Sequence, residues 1–207
     1  NTHSPLYFVK SKNSLCFDGA RVTYPEDCSN MWTEDELGIV IKESCFQVSE
    51  LEADKYIEGF VVCADVTCEN IHDRDHHLAY SKSRKNFCPV SADIIRMSVT
   101  ELTNLKLTTF INGTLTQEGN IDDMFFNPYK SLSYISRITE LCKGDIILTG
   151  TPSGVENNTI NIGDKVVHSI EKIGEVGFEV EVEQLDAPTA SKMASAGEYD
   201  LLLWRYG

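Results

Sequence analysis

The chain has 207 residues, 42% hydrophobic and 24% charged, long enough to bury one substantial core. Its formal net charge of −14 at pH 7 argues against nucleic acid or an anionic membrane surface as a partner, because either needs a basic face. No apolar run is long enough to span a bilayer and no signal-peptide pattern opens the sequence, so a cytoplasmic location is expected. The seven cysteines, at 16, 28, 45, 63, 68, 88 and 142, are odd in number and scattered, with no CxxC pair. That pattern fits reduced thiols better than a disulfide framework or a zinc site, with Cys45, Cys63 and Cys88 in apolar surroundings.

In chain order, "PLYFVK" (5–10) and "LGIVIK" (37–42) read as short strands. "VSELEADKYIEG" reads as a helix, with Ser49 and Glu52 spaced as a capping box and Gly59 as its terminator. "FVVCAD" is a continuous apolar run of strand length, as expected of a strand buried on both faces. "LKLTTFINGTLTQEG" alternates around Asn112-Gly113, a strong hairpin signal that accounts for the Asn112-Gly-Thr sequon without a sugar. A helix should follow, capped by Asn127 and opened by Pro128, with Leu132, Ile135, Ile138 and Leu141 as its apolar stripe and Gly144 at its end. "KGDIILTGTP" and "IGDKVVHSIEKIGEVGFEVEVE" read as strands introduced by Gly-Asp turns. Strands outnumber helices and come in hairpins, so the expected class is α+β, mainly β, with a folded-over mixed sheet.

Three acids stand out. Glu34 and Glu36, two apart in a strand, project from one face and repel each other. Asp65 ends the apolar run of the following strand. Converging, the three would form an oxygen cage suited to Mg²⁺, Mn²⁺ or Ca²⁺; on spacing alone, E-x-E is more often a solvated strand edge. "HDRDHHLAYSK" gathers Asp73, Asp75, His76 and His77 and reads as a solvated loop sooner than a transition-metal site. Lys82 either lies buried beside the carboxylates or sits on the surface. "TGTPSG" lacks the lysine of a phosphate-binding P-loop.

Taken in order, "LYFVK", "EDELGIVIKE", "YIEGFVVCADVT", "SKSRKNFCPVS", "FINGTLTQEG", "GDIILTGTPSGV" and "IGDKVVHSIEKIG" resemble the fumarylacetoacetate hydrolase family over roughly residues 5 to 183. The middle segment looks closest to its homoprotocatechuate-pathway isomerase/decarboxylase branch. The resemblance implies a mixed β-sandwich roll over residues 1–186 and a homodimer, with residues 187–207 as a C-terminal extension. It implies metal ligands at Glu34, Glu36 and Asp65, with Mg²⁺ the usual ion and Ca²⁺ or Mn²⁺ able to replace it. Lys82 matches the lysine beside the metal, and Thr151 and Lys10 match substrate-holding positions, although Ser11 follows Lys10 where the family usually has proline. The implied substrate is a small anionic 2-oxo dicarboxylate or acylpyruvate, cleaved, decarboxylated or tautomerised through an enolate.

Two departures are visible. The family's N-terminal N-Y-x-x-H segment, with its histidine–glutamate pair, has no counterpart in this sequence, so a lid segment is not expected in it. After Asp65 the family often reads T-A-R-D and then glutamine. Here the sequence runs Thr67-Cys68-Glu69-Asn70, with His72 at the glutamine position as a candidate base. A dimeric metal-binding module that kept the cage without the proton-transfer machinery is the alternative reading.

Overall fold

The computed structural model describes residues 5–69 and 78–182. In chain order the strands are β1 (Leu15–Phe17), β2 (Ala20–Tyr24), β3 (Met31–Ile41), β4 (Ile57–Cys68), β5 (Cys88–Val90), β6 (Lys106–Ile111), β7 (Thr114–Asn120), β8 (Ile146–Leu148), β9 (Lys165–Ile170) and β10 (Gly174–Val182). Two short helices, α1 (Leu78–Lys82) and α2 (Pro128–Ser136), join them. One five-stranded sheet has the order β1-β5-β4-β3-β8 and the other β2-β10-β9-β6-β7. The β1–β5 and β2–β10 pairs are parallel and the remaining ladders antiparallel, so the fold is the expected mainly-β mixed sandwich.

The two sheets bury their facing sides against each other. Leu37, Ile39, Ile41, Phe60 and Val62 of the first sheet meet Leu107, Ile170 and Val176 of the second, and α2 adds Leu132. A second cluster joins Met31, Ala64 and Val66 to Val22, Ile111, Val166, Phe178 and Val180. Each of the larger of these side chains contributes roughly 1.5–3 kcal/mol of transfer free energy. Strand alternation then sends Glu34, Glu36, Gly38 and Val40 to the other side of β3. There Val40 packs with Val61, Cys63, Cys88 and Val90 in a smaller cluster, and the acids continue the same face.

The hairpin forms around Asn112 and Gly113, both at positive φ (52° and 77°). Asn127 caps α2, its Oδ1 accepting from the Lys130 amide at 3.0 Å. Three expectations need correction. Residues 49–59 form no α-helix: the Ser49–Glu52 side-chain bond exists at 2.9 Å, but only a short 3-10 turn (Ala53–Tyr56) follows. Gly59 lies inside β4, where a Cβ would stand 2.6 Å from the Ile95 carbonyl oxygen. Leu51 is exposed, and from Ile57 the chain is committed to its long ladder with β3.

Residues 5–10 join no sheet; Lys10 and Phe8 instead reach the site, against Asp65 and Lys82. Helix α2 stops at Ser136, leaving Ile138 exposed and Leu141 in a bridge with Cys45. Gly144, at φ +87°, belongs to the turn before β8.

Candidate metal centre

Glu34 and Asp65 are direct cross-strand partners in the β3–β4 ladder, and Glu36 lies two residues along the same face. A carboxylate oxygen of each lies within 4.8 Å of the others. Asp65 stands inside β4, not at its end, because Val66, Thr67 and Cys68 continue the ladder. Thr67, two residues on, therefore shares its face.

Two lysines reach the cage from different segments. Lys82, at the end of α1, donates from Nζ to Thr67 Oγ1 at 2.7 Å, Asp65 Oδ2 at 2.8 Å and Glu34 Oε1 at 3.0 Å. Its ammonium also lies 5.6 Å from the centroid of the Phe8 ring. Lys10 donates to the other Asp65 oxygen at 2.5 Å. Burial pulls the Lys82 pKa down, but Asp65 and Glu34 outweigh it, so the net shift is upward and the group stays charged.

Glu36 is different. Among the described residues neither lysine is bonded to it; Oε2 accepts from the Gly150 backbone amide. Burial, and then Asp65 and Glu34, push its pKa up to about 8. Three carboxyls face two ammoniums, and Glu36, the one without an ammonium bonded to it, holds its proton near neutral pH. The donors are all carboxylate oxygens. Cys63, opposite Glu36, is held far above the ordinary thiol range by burial and offers no thiolate. A hard divalent cation fits this donor set.

The "TGTPSG" loop closes one side. Thr149 is tied to the Leu37 carbonyl by its amide (3.1 Å) and hydroxyl (3.0 Å), and Gly150, at φ +92°, turns its amide to Glu36. Thr151 follows directly, its Oγ1 accepting from Gln117 Nε2 at 3.2 Å. Glu34, Glu36, Asp65 and Lys82 thus come together as expected, Lys10 joins them through Asp65, and Thr151 sits on the adjoining loop. His72, Asn70, and Asp73, Asp75, His76 and His77 lie outside the described residues, as does 187–207. Glu69, at the family's arginine position, accepts from Ser29 Oγ at 2.9 Å.

Sequence reading missed Thr67 and Gln117. Alternation from Asp65 would have found Thr67, and a glutamine within an alternating hairpin strand is the only local signal for Gln117.

The fumarylacetoacetate (FAA) hydrolase C-terminal family model matches residues 1–181. The mitochondrial oxaloacetate tautomerase FAHD1 of Bos taurus is 36% identical over 167 residues, covering 77% of this chain and 76% of that protein. The homoprotocatechuate catabolism bifunctional isomerase/decarboxylase of Escherichia coli is 33% identical over 172 residues, 82% of this chain but 39% of the longer protein. Among solved structures, 2-hydroxyhepta-2,4-diene-1,7-dioate isomerase from Mycobacterium marinum superposes with a TM-score of 0.83 at 30% identity, covering 89% of this chain and 71% of that one. The sandwich, the ordered motifs and these likenesses together place the chain in the fumarylacetoacetate hydrolase family, alongside tautomerases, isomerases and decarboxylases.

Proposed function

We propose that this chain is a divalent-metal-dependent enzyme acting on a small 2-oxo dicarboxylate or acylpyruvate, by proton transfer or C–C bond cleavage beside the keto group. One observation carries the reading: three acids share a cage, and among the described residues no cation is bonded to Glu36. Glu34, Glu36 and Asp65 would hold Mg²⁺, with Mn²⁺ or Ca²⁺ able to substitute. Bound there, the ion would supply Lewis-acid polarisation to a 2-oxo acid. The relatives' names fit such chemistry, since they describe a tautomerase of oxaloacetate and isomerases or decarboxylases of related diacids.

The protein's own groups divide the remaining work. Lys82, fixed by three acceptors and kept charged, holds Glu34 and Asp65 in register and adds positive potential for an anion. Lys10 braces the far oxygen of Asp65. With a divalent ion bound and all three acids ionised, the local charge would be one positive, giving an acidic protein a focal site for a carboxylate. Thr151 is the proposed carboxylate-holding hydroxyl, and His72, seven positions past Asp65, the proposed proton-moving group.

The test is turnover of oxaloacetate (enol–keto exchange and decarboxylation), acylpyruvates and 2-hydroxy-dienedioates by Mg²⁺-loaded protein, with and without chelator. Chelator-sensitive turnover of at least one, falling about a hundredfold or more in Glu34→Ala and Asp65→Ala, is the expected result. Tight Mg²⁺ binding with no turnover of any substrate would instead identify a metal-binding module.

A further inference from the structure

Behind the Thr151 loop runs a line of buried polar side chains that no role yet assigned accounts for. His168, Thr109, Gln117 and Asn158 all lie in the interior. His168 Nδ1 is 2.9 Å from Thr109 Oγ1, and its Nε2 is 2.7 Å from Thr33 Oγ1. Thr109 Oγ1 is 3.3 Å from Gln117 Oε1. Asn158 Nδ2 donates to the Thr33 carbonyl at 3.1 Å and to Gln117 Oε1 at 2.6 Å, while Asn158 Oδ1 accepts from Thr116 Oγ1 at 2.7 Å.

These contacts fix direction as well as position. The Thr33 carbonyl only accepts, so the nitrogen of Asn158 must face it, and that nitrogen then faces the oxygen of Gln117. The amide nitrogen of Gln117 therefore points at the loop. There it meets the Pro152 carbonyl at 2.9 Å, the Ser153 carbonyl at 3.3 Å and Thr151 Oγ1 at 3.2 Å. The two carbonyls only accept, which confirms the same orientation from the other end. With a lone pair engaged by Gln117, the Thr151 oxygen keeps its one hydrogen to give elsewhere. Pro152 locks the loop over β7, since a Cβ on Gly119 would lie 2.4 Å from its ring.

We propose that Gln117 is a positioning residue that turns Thr151 into a hydroxyl donor for the carboxylate of the substrate. A carboxylate is acceptor-only, so the hydrogen direction at Thr151 decides whether it binds. The proposal rests on the reading of Thr151 given above.

The test is oxalate binding to the Mg²⁺-loaded protein by calorimetry, with KM and kcat for oxaloacetate alongside. Gln117→Glu keeps the shape but replaces the donor with an acceptor that captures the Thr151 hydrogen and faces two carbonyls. Oxalate affinity should fall about tenfold to a hundredfold, with KM rising in step, kcat within about threefold and Mg²⁺ affinity unchanged. Thr151→Val should cost as much and Thr151→Ser little, and Gln117→Leu combined with Thr151→Val should be no worse than Thr151→Val alone. Melting curves identify any variant that fails to fold, and Gln117→Leu and Gln117→Glu serve as independent probes. Unchanged oxalate affinity in a folded Gln117 variant, or effects that multiply in the double variant, would overturn the proposal. If Thr151→Val leaves oxalate affinity intact, or the wild type binds no oxalate, the reading of the site itself fails instead.

Discussion

Asp35 stands between Glu34 and Glu36 in sequence and on the opposite face of β3 in space. Its carboxyl presses into the core, where neither oxygen has a hydrogen bond of ordinary geometry. Backbone groups of Ser169 and Thr108 ease the cost without cancelling it, and burial, then Glu36, pushes the pKa well above the carboxylate range. His168 Nδ1 is 3.9 Å away, and burial holds that imidazole down to about 3, so acid and imidazole sit together uncharged. Asp35→Leu should therefore stabilise the fold by about 1–3 kcal/mol in denaturant unfolding, because an unpaired buried acid is replaced by apolar volume. His168→Leu should cost about 2–4 kcal/mol by the same measurement, since Thr33 and Thr109 lose their shared partner. At this scale the sequence was legible for Glu34 and Glu36, whose common face follows from a period of two. The surroundings of Asp35 were not, because they are set by β9, far along the chain.

Where a signal was local, elements could be read. Asn112-Gly113 sets its own turn, and Asn127-Pro128 sets its own helix start. The segment 49–59 shows the limit: a capping pair formed, but the ladder between β3 and β4 claimed the residues that would have continued a helix. The E-x-E motif became a cage through register, which pairs Glu34 with Asp65, and no local pattern specifies a register. Two glycines of one hairpin separate local from tertiary demands. Gly113 turns at φ +77° into open space, so Gly113→Ala should cost about 1 kcal/mol in stability and leave oxaloacetate KM unchanged. Gly119→Ala drives a methyl into Pro152 and displaces the Thr151 loop, so kcat/KM should fall about tenfold or more in steady-state assays. Equal kinetics for the two variants would show that the loop position is not held by β7.

For the whole molecule, the class and the strand order of the motifs were legible because each buried run carries its own alternation, while the stacking of the two sheets appears only in the packed core. Among the described residues, β1 presents an apolar edge. Leu15 and Phe17, 40% and 63% exposed, pair in register with Cys88 and Val90 and so extend the face on which those two are buried. We expect a second copy of the chain to cover it. Light scattering should give about twice 23.2 kDa, and Phe17→Lys should shift the species toward the monomer. A wild-type monomer at micromolar concentration would refute the dimer. Thermal unfolding of metal-free wild type and Glu36→Gln, each titrated with Mg²⁺, tests the cage. The amide keeps the shape but cannot ionise to hold the ion. The metal-free variant should melt no lower than wild type, and Mg²⁺ should raise the wild-type melting temperature by several degrees but leave the variant unmoved. An equal Mg²⁺ shift in both proteins, or none in the wild type, would contradict the assignment of the three acids as a metal site.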